Sequence, residues 1–167
     1  MSRGFVKEDD QEEVPIVPQR AFLPEGVTNF VTLTGINQLL AEKEMLIQEK
    51  DNLSTTNENE KRIALNYINA KLQLLESRIA EARVVNLKEQ PQSEIRFGAL
   101  VTLKTEGSGK IQAFQIVGVD EADIAKGKIS FISPLAKALI NKKVGDKVTL
   151  KQARGEVVFE IIDIVYR

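Results

Sequence analysis

Leu65, Ile68, Leu72, Leu75, Ile79 and Ala82 follow one another at steps of 3, 4, 3, 4 and 3 residues. That spacing puts all six on one stripe of an α-helix, a seam that has to be covered by another helix. Upstream lies a weaker matching stripe. Ile36, Leu39, Leu46 and Leu53 fall at seam positions with Leu40 and Ile47 alongside, and Lys43 and Lys50 interrupt it. Between the two stripes stands Ser54-Thr55-Thr56-Asn57-Glu58-Asn59, rich in side chains that compete for backbone hydrogen bonds and favour turns and caps. Thr34 is the expected N-cap of the first helix. The pattern predicts an antiparallel coiled-coil hairpin over residues 34–86, projecting roughly 30 Å at the helical rise per residue. Two helices have little core of their own, so the base of this hairpin must be braced by the domain C-terminal to it.

Residues 94–167 alternate between strand and turn patterns. Ile95, Phe97, Leu100, Val101 and Leu103 open the region, and Gly107-Ser108-Gly109 forms a hairpin loop before a return strand over 113–119. Another strand covers 128–132. Ser133 then caps a helix with Pro134 in its first position, where a missing N–H costs nothing. Leu135, Leu139 and Ile140 are the expected inner face of that helix, and strands over 147–151 and 157–165 meet at a turn around Arg154-Gly155. One helix on a largely antiparallel sheet is an α+β domain. The acidic turn Asp120-Glu121-Ala122-Asp123 reads as a solvated turn with a cap.

Residues 1–33 form a leader of different character. Glu8, Asp9, Asp10, Glu12 and Glu13 are followed by Pro15, Pro18 and Pro24, a spacing that prevents a continuous helix and favours an extended path. Val14, Ile16, Val17, Phe22, Leu23 and Phe30 suggest that its later part packs on something.

Composition removes several classes of chemistry. With no cysteine there are no disulfides, thiolate nucleophiles or Cys-based metal sites, and with no histidine the commonest general base and metal ligand is missing. A net charge of −1 does not fit broad binding to nucleic-acid phosphates. No apolar run reaches the roughly 20 residues that span a bilayer, and the N-terminus turns acidic where a signal peptide would be apolar, so a cytoplasmic monomer without membrane contact is expected. The segment Gly107-Ser108-Gly109-Lys110 lacks the spacing of a phosphate-binding loop, and no nucleophile–base set stands out, so no catalytic residue and no enzyme activity are expected.

Four blocks, in order, resemble one family: Ile116-Val117-Gly118, Asp120-Glu121-Ala122-Asp123, Ser133-Pro134-Leu135-Ala136 with Ala138-Leu139, and Val144-Gly145-Asp146. Together they closely resemble the C-terminal domain of the Gre transcript-cleavage (transcription elongation) factors, which bind bacterial RNA polymerase at its secondary channel. Arg78-Ile79-Ala80-Glu81 and Val84-Val85 extend the likeness toward the hairpin. The acidic, proline-containing leader resembles the start of a divergent Gre-like branch. The resemblance implies an FKBP-like fold for residues 94–167 after the coiled-coil hairpin. It does not imply prolyl isomerase activity, since function lives in the site and an aromatic-lined pocket is hard to build in a chain with no Trp.

By the same resemblance, Ile132, Ser133, Pro134, Leu135 and Lys137 meet the rim helices of the polymerase's largest subunit. In Gre factors an Asp and a Glu at the hairpin tip share a second Mg²⁺ with the polymerase active centre and promote hydrolysis of backtracked RNA. The corresponding stretch here is Asp51-Asn52-Leu53-Ser54-Thr55-Thr56-Asn57-Glu58-Asn59-Glu60, which carries extra residues between its two halves. Asp51, Glu58 and Glu60 are the candidate metal-sharing carboxylates, with no cofactor belonging to the chain alone and only indirect contact with RNA. The hairpin is also shorter than the family pattern. Three readings stay open: a cleavage stimulator, a non-cleaving channel regulator or inhibitor, and a Gre-like module redirected to a partner other than the polymerase.

Overall fold

The computed structural model describes residues 14–167; the acidic run Glu8–Glu13 lies outside the described residues. Strand β1 (Asn29–Val31) leads through Thr32 into α1 (Leu33–Asp51), and a polar turn joins α1 to α2 (Glu58–Glu81). The chain leaves α2 directly into β2 (Ala82–Val84), which pairs in parallel with β1. The hairpin therefore begins and ends in a two-stranded clamp, and this moves its boundaries from those expected. The N-cap of α1 is Thr32, whose Oγ1 accepts from the Gly35 N–H at 2.9 Å, while Thr34 is an exposed first-turn residue. Ala82 closes the α2 stripe in sequence but is the first residue of β2, because pairing with Asn29 pulls the backbone out of the helix.

The seam forms as the spacing requires. Leu39, Leu46, Ile68, Leu72 and Leu75 are buried together, with Ile36, Ile47, Leu53 and Ile79 packed against them. Lys43 at the seam is accommodated by turning outward to Glu76, at 3.6 Å. Asn57 caps α2, its Oδ1 accepting from the N–H groups of Asn59 and Glu60.

The second unit is a five-stranded sheet with β3 (Ala99–Thr105), β4 (Ile111–Val117), β5 (Lys128–Ser130), β6 (Lys147–Gln152) and β7 (Gly155–Tyr166) in the order β5-β4-β3-β7-β6. Only β4 and β5 run parallel, making the sheet mixed. Helix α3 (Pro134–Leu139) sits against it, capped by Ser133, whose Oγ accepts from the Ala136 N–H at 3.3 Å. The chain is thus of the α+β class, a coiled-coil hairpin followed by a five-stranded mixed sheet with one helix. Alternation along β3 turns Ala99, Val101 and Leu103 inward, where they meet Ile95, Ile116, Ile161, Ala136 and Leu139. The β3–β7 register shifts between Thr102 and Leu103, leaving Ile162 of β7 as an extra, unpaired residue.

Tyr166, at the end of β7, ties down the entry to the sheet. Its hydroxyl donates to the Glu94 carbonyl at 2.6 Å and accepts from the Arg96 N–H at 2.8 Å. Burial pushes this phenol above its ordinary pKa. Since the folded value is the higher one, its contribution is complete below the unfolded phenol's pKa, near 10, and is lost as pH rises through the folded value. Tyr166→Phe is expected to cost about 1 kcal/mol at neutral pH and to flatten the alkaline loss of stability, read from urea unfolding at a series of pH values. Leu75→Ala, at a fully buried seam position, is expected to cost about 2–5 kcal/mol in the same assay.

Candidate functional site

The hairpin tip is built by two helix ends. Asp51 is the last residue of α1 and Glu58 the first of α2, so the turn 52–57 brings them to its two sides, both exposed. Their local settings differ. Glu58 and Glu60 lie in the first turn of α2, where backbone N–H groups favour an anion, and Glu60 also accepts from Thr55 Oγ1 at 3.2 Å. Both acids therefore have a structural reason to be there. Asp51 stands at the carbonyl-rich end of α1, where the helix dipole disfavours a carboxylate. Helix formation does not account for it, which makes it the more informative of the tip acids. Among the described residues no group of three or more acidic side chains is gathered closely enough to hold a metal ion by itself.

The turn ahead of α3 gathers the second set of candidates. Pro134 and Lys137 are exposed, and Ile132, Ser133 and Leu135 are half-buried. Ser133 is committed to capping, so its hydroxyl shapes the turn, and Leu135 packs against the sheet core with its remaining surface outward. Phe131, just before this turn, stacks in a triangle with Phe97 and Phe30, with ring centroids 5.7–5.8 Å apart. Phe30 belongs to β1, so the aromatic triangle joins the base of the hairpin to the turn before α3.

The acidic turn after β4 is not solvated. Asp120 and Glu121 have side chains only 9% and 2% exposed, and both face charged or polar partners from other parts of the chain. Asp120 receives Arg20 Nε at 3.1 Å and faces Arg78 Nη1 of α2 at 3.3 Å, the latter a contact of charges without hydrogen-bond alignment. Arg20 meanwhile forks onto Glu42 of α1, at 2.8 and 3.0 Å. Its pKa is held above the ordinary arginine value, first by the hydrogen bond to Glu42 and then by the charge of Asp120, with burial opposing. Arg78 also donates from Nη2 to the carbonyl of Ala21 at 2.7 Å. Glu121 accepts from Thr32 Oγ1 through one oxygen and meets Lys128 Nζ at 3.0 Å through the other. Thr32 is thus a cap that uses its hydroxyl twice. Only Asp123 behaves as expected, capping the short turn at Ile124–Lys126.

Two glycines let these units approach. A Cβ on Gly118 would sit 2.6 Å from the Phe30 carbonyl oxygen, and one on Gly35 would sit 2.8 Å from Glu121 Oε1. The motif Ile116-Val117-Gly118 therefore ends in glycine because the β1 backbone passes over it. Sequence reasoning missed Arg20, Thr32, Arg78 and Lys128 as partners of the acidic turn, and Glu42 as the second partner of Arg20. The available signal was an Asp-Glu pair two residues after a glycine that closes a buried strand. Asp120→Ala leaves Arg20 and Arg78 facing each other without the carboxylate between them, and is expected to cost roughly 3 kcal/mol in urea unfolding.

Comparison with known proteins adds a second line. Residues 90–166 match the family model described as transcription elongation factor, GreA/GreB, C-terminal. A transcription elongation factor GreA of Francisella philomiragia is 41% identical over 101 residues, covering 60% of this chain and 63% of that protein. The GreA of Pelobacter propionicus is 44% identical over 100 residues with the same coverage, 60% and 63%. This chain therefore spans a little under two thirds of the length of these curated relatives. Among solved structures, GreA factor homolog 1 of Thermus thermophilus aligns over 83% of this chain and 99% of its own at 23% identity, with a TM-score of 0.40. A GreA/GreB factor from Nitrosomonas europaea aligns over 82% and 98% at 21% identity, with a TM-score of 0.43.

Proposed function

We propose, from the match of residues 90–166 to the GreA/GreB C-terminal family model and the likeness to GreA proteins, that this chain is a Gre-type factor that docks on RNA polymerase at its secondary channel and modulates transcript elongation. The observation that carries this reading is the family match across residues 90–166, which contain the start of α3 with Pro134 and Lys137 exposed, in a chain that also carries the hairpin. In this reading Pro134, Lys137 and the outward surfaces of Ile132 and Leu135 contact the rim helices of the polymerase's largest subunit, and Ser133 holds the turn in shape. The protein acts as a cytoplasmic monomer and performs no chemistry of its own.

The hairpin enters the channel tip first. A helix of 24 residues extends about 36 Å, which sets how far Asp51 and Glu58 can be carried from the docking turn. Those two carboxylates are the groups that would share Mg²⁺ with the polymerase active centre; Glu60 is the weaker candidate because it is engaged with Thr55. Mg²⁺ bound there supplies the charge and the activated water for hydrolysis of backtracked RNA. Asp51 and Glu58 contribute position and negative charge. A second reading is a channel occupant that regulates without cleavage, favoured by the extra residues that the turn 52–57 places between Asp51 and Glu58. A redirected module with a different partner remains the third.

RNA cleavage in a backtracked elongation complex, run with and without the protein in Mg²⁺, separates these readings. Acceleration that disappears in Asp51→Ala or Glu58→Ala while binding persists supports the cleavage role. Binding without acceleration supports the occupant, and no binding to core polymerase removes both. Ser133→Ala combined with Pro134→Ala is expected to weaken polymerase binding at least tenfold while the sheet domain stays folded, measured by competition binding and circular dichroism.

A further inference from the structure

We propose that Arg20 is a positioning residue that fixes the direction of the hairpin relative to the docking domain, making the leader part of the arm's mounting. The idea rests on the reading that the tip acts at a distance from the docking turn. Arg20 belongs to neither folded unit, yet its guanidinium bonds α1 through Glu42 and the sheet domain through Asp120 at the same time. Its side chain is 17% exposed, so water competes little for those bonds. The neighbouring residue is held as well, since the Ala21 carbonyl accepts from Arg78, the residue that faces Asp120 from α2. One planar fork spends its Nη1 and Nη2 donors on one carboxylate and its Nε on another, an arrangement a lysine ammonium cannot reproduce.

Leverage explains why such a bond matters. Over an arm of about 36 Å, a tilt of about 2° at the base displaces the tip by about 1 Å. Misplacement on that scale is enough to degrade a positioned catalytic group about 100-fold. The two carboxylates of the acidic turn divide the work. Glu121 holds the start of α1 through Thr32, close to the pivot, whereas Arg20 grips Glu42 about two and a half turns further along the helix. A tether placed away from the pivot resists tilt, and one at the pivot does not.

The chain has no cysteine, so labels can be placed at will. Spin labels on Ser54→Cys at the tip and Lys151→Cys on the sheet domain, both exposed positions, report the tip-to-domain distance by double electron–electron resonance. Arg20→Ala is expected at least to double the width of that distribution. Glu42→Gln, at a half-exposed position, is expected to broaden it less and in the same way. Leu75→Ala, which weakens the seam without touching the network, is expected to leave it narrow. With polymerase, Arg20→Ala is expected to keep its affinity within about twofold, while any tip-dependent effect on cleavage falls at least tenfold. A distribution as narrow in Arg20→Ala and Glu42→Gln as in the parent, or as broad in Leu75→Ala as in Arg20→Ala, overturns the assignment. Should no form of the protein bind polymerase, the docking reading fails, and the distance measurement still decides the role of Arg20.

Discussion

Asp120 is the point at which three parts of this molecule become one. Its carboxylate lies between the guanidinium of Arg20 from the leader and that of Arg78 from α2, and it is itself fixed by the turn that leaves β4. Charges removed from water are stable only when they are paired, so the burial of Asp120 obliges both arginines to stay. Glu42 completes the balance on the far side of Arg20. With two cations and two anions, the cluster is neutral. The seam of the hairpin and the core of the sheet domain are each built from other residues, and this cluster is one of the ties between them.

The remaining bracing is apolar and backbone in nature. Phe30, Phe97 and Phe131 pack in a triangle that reaches from β1 to the turn before α3, and the β1 backbone crosses directly over Gly118. The surface proposed to touch the polymerase and the base of the arm proposed to enter it are therefore separated by a single aromatic layer.

Legibility in the sequence followed the range of the interaction. The α2 stripe, the Ser133-Pro134 helix start and the Arg154-Gly155 turn depend on residues a few positions apart, so their spacing alone revealed them. The N-cap of α1 was misplaced by two residues because β1 pairs with a strand more than 50 residues away, and that pairing decides where the helix begins. Asp120 and Glu121 were misjudged for the same reason. Arg20 and Asp120 are 100 residues apart and Thr32 and Glu121 are 89 apart, and a charged residue reads the same locally whether water or an arginine faces it. At the tip the candidate acids were legible as residues, but whether they act together depends on a partner that lies outside the chain.

The parallel pairing of β1 with β2 has a consequence for how such proteins diversify. It brings the entrance and exit of the hairpin side by side, with Asn29 opposite Ala82 and Val31 opposite Val84. Everything between them is a closed excursion from a fixed mount. Matched heptads can be added to or removed from α1 and α2 near the turn without changing a single contact at the base. Arm length and tip composition are therefore free to vary together as an interchangeable cartridge, while the mount and the docking turn stay under separate constraint.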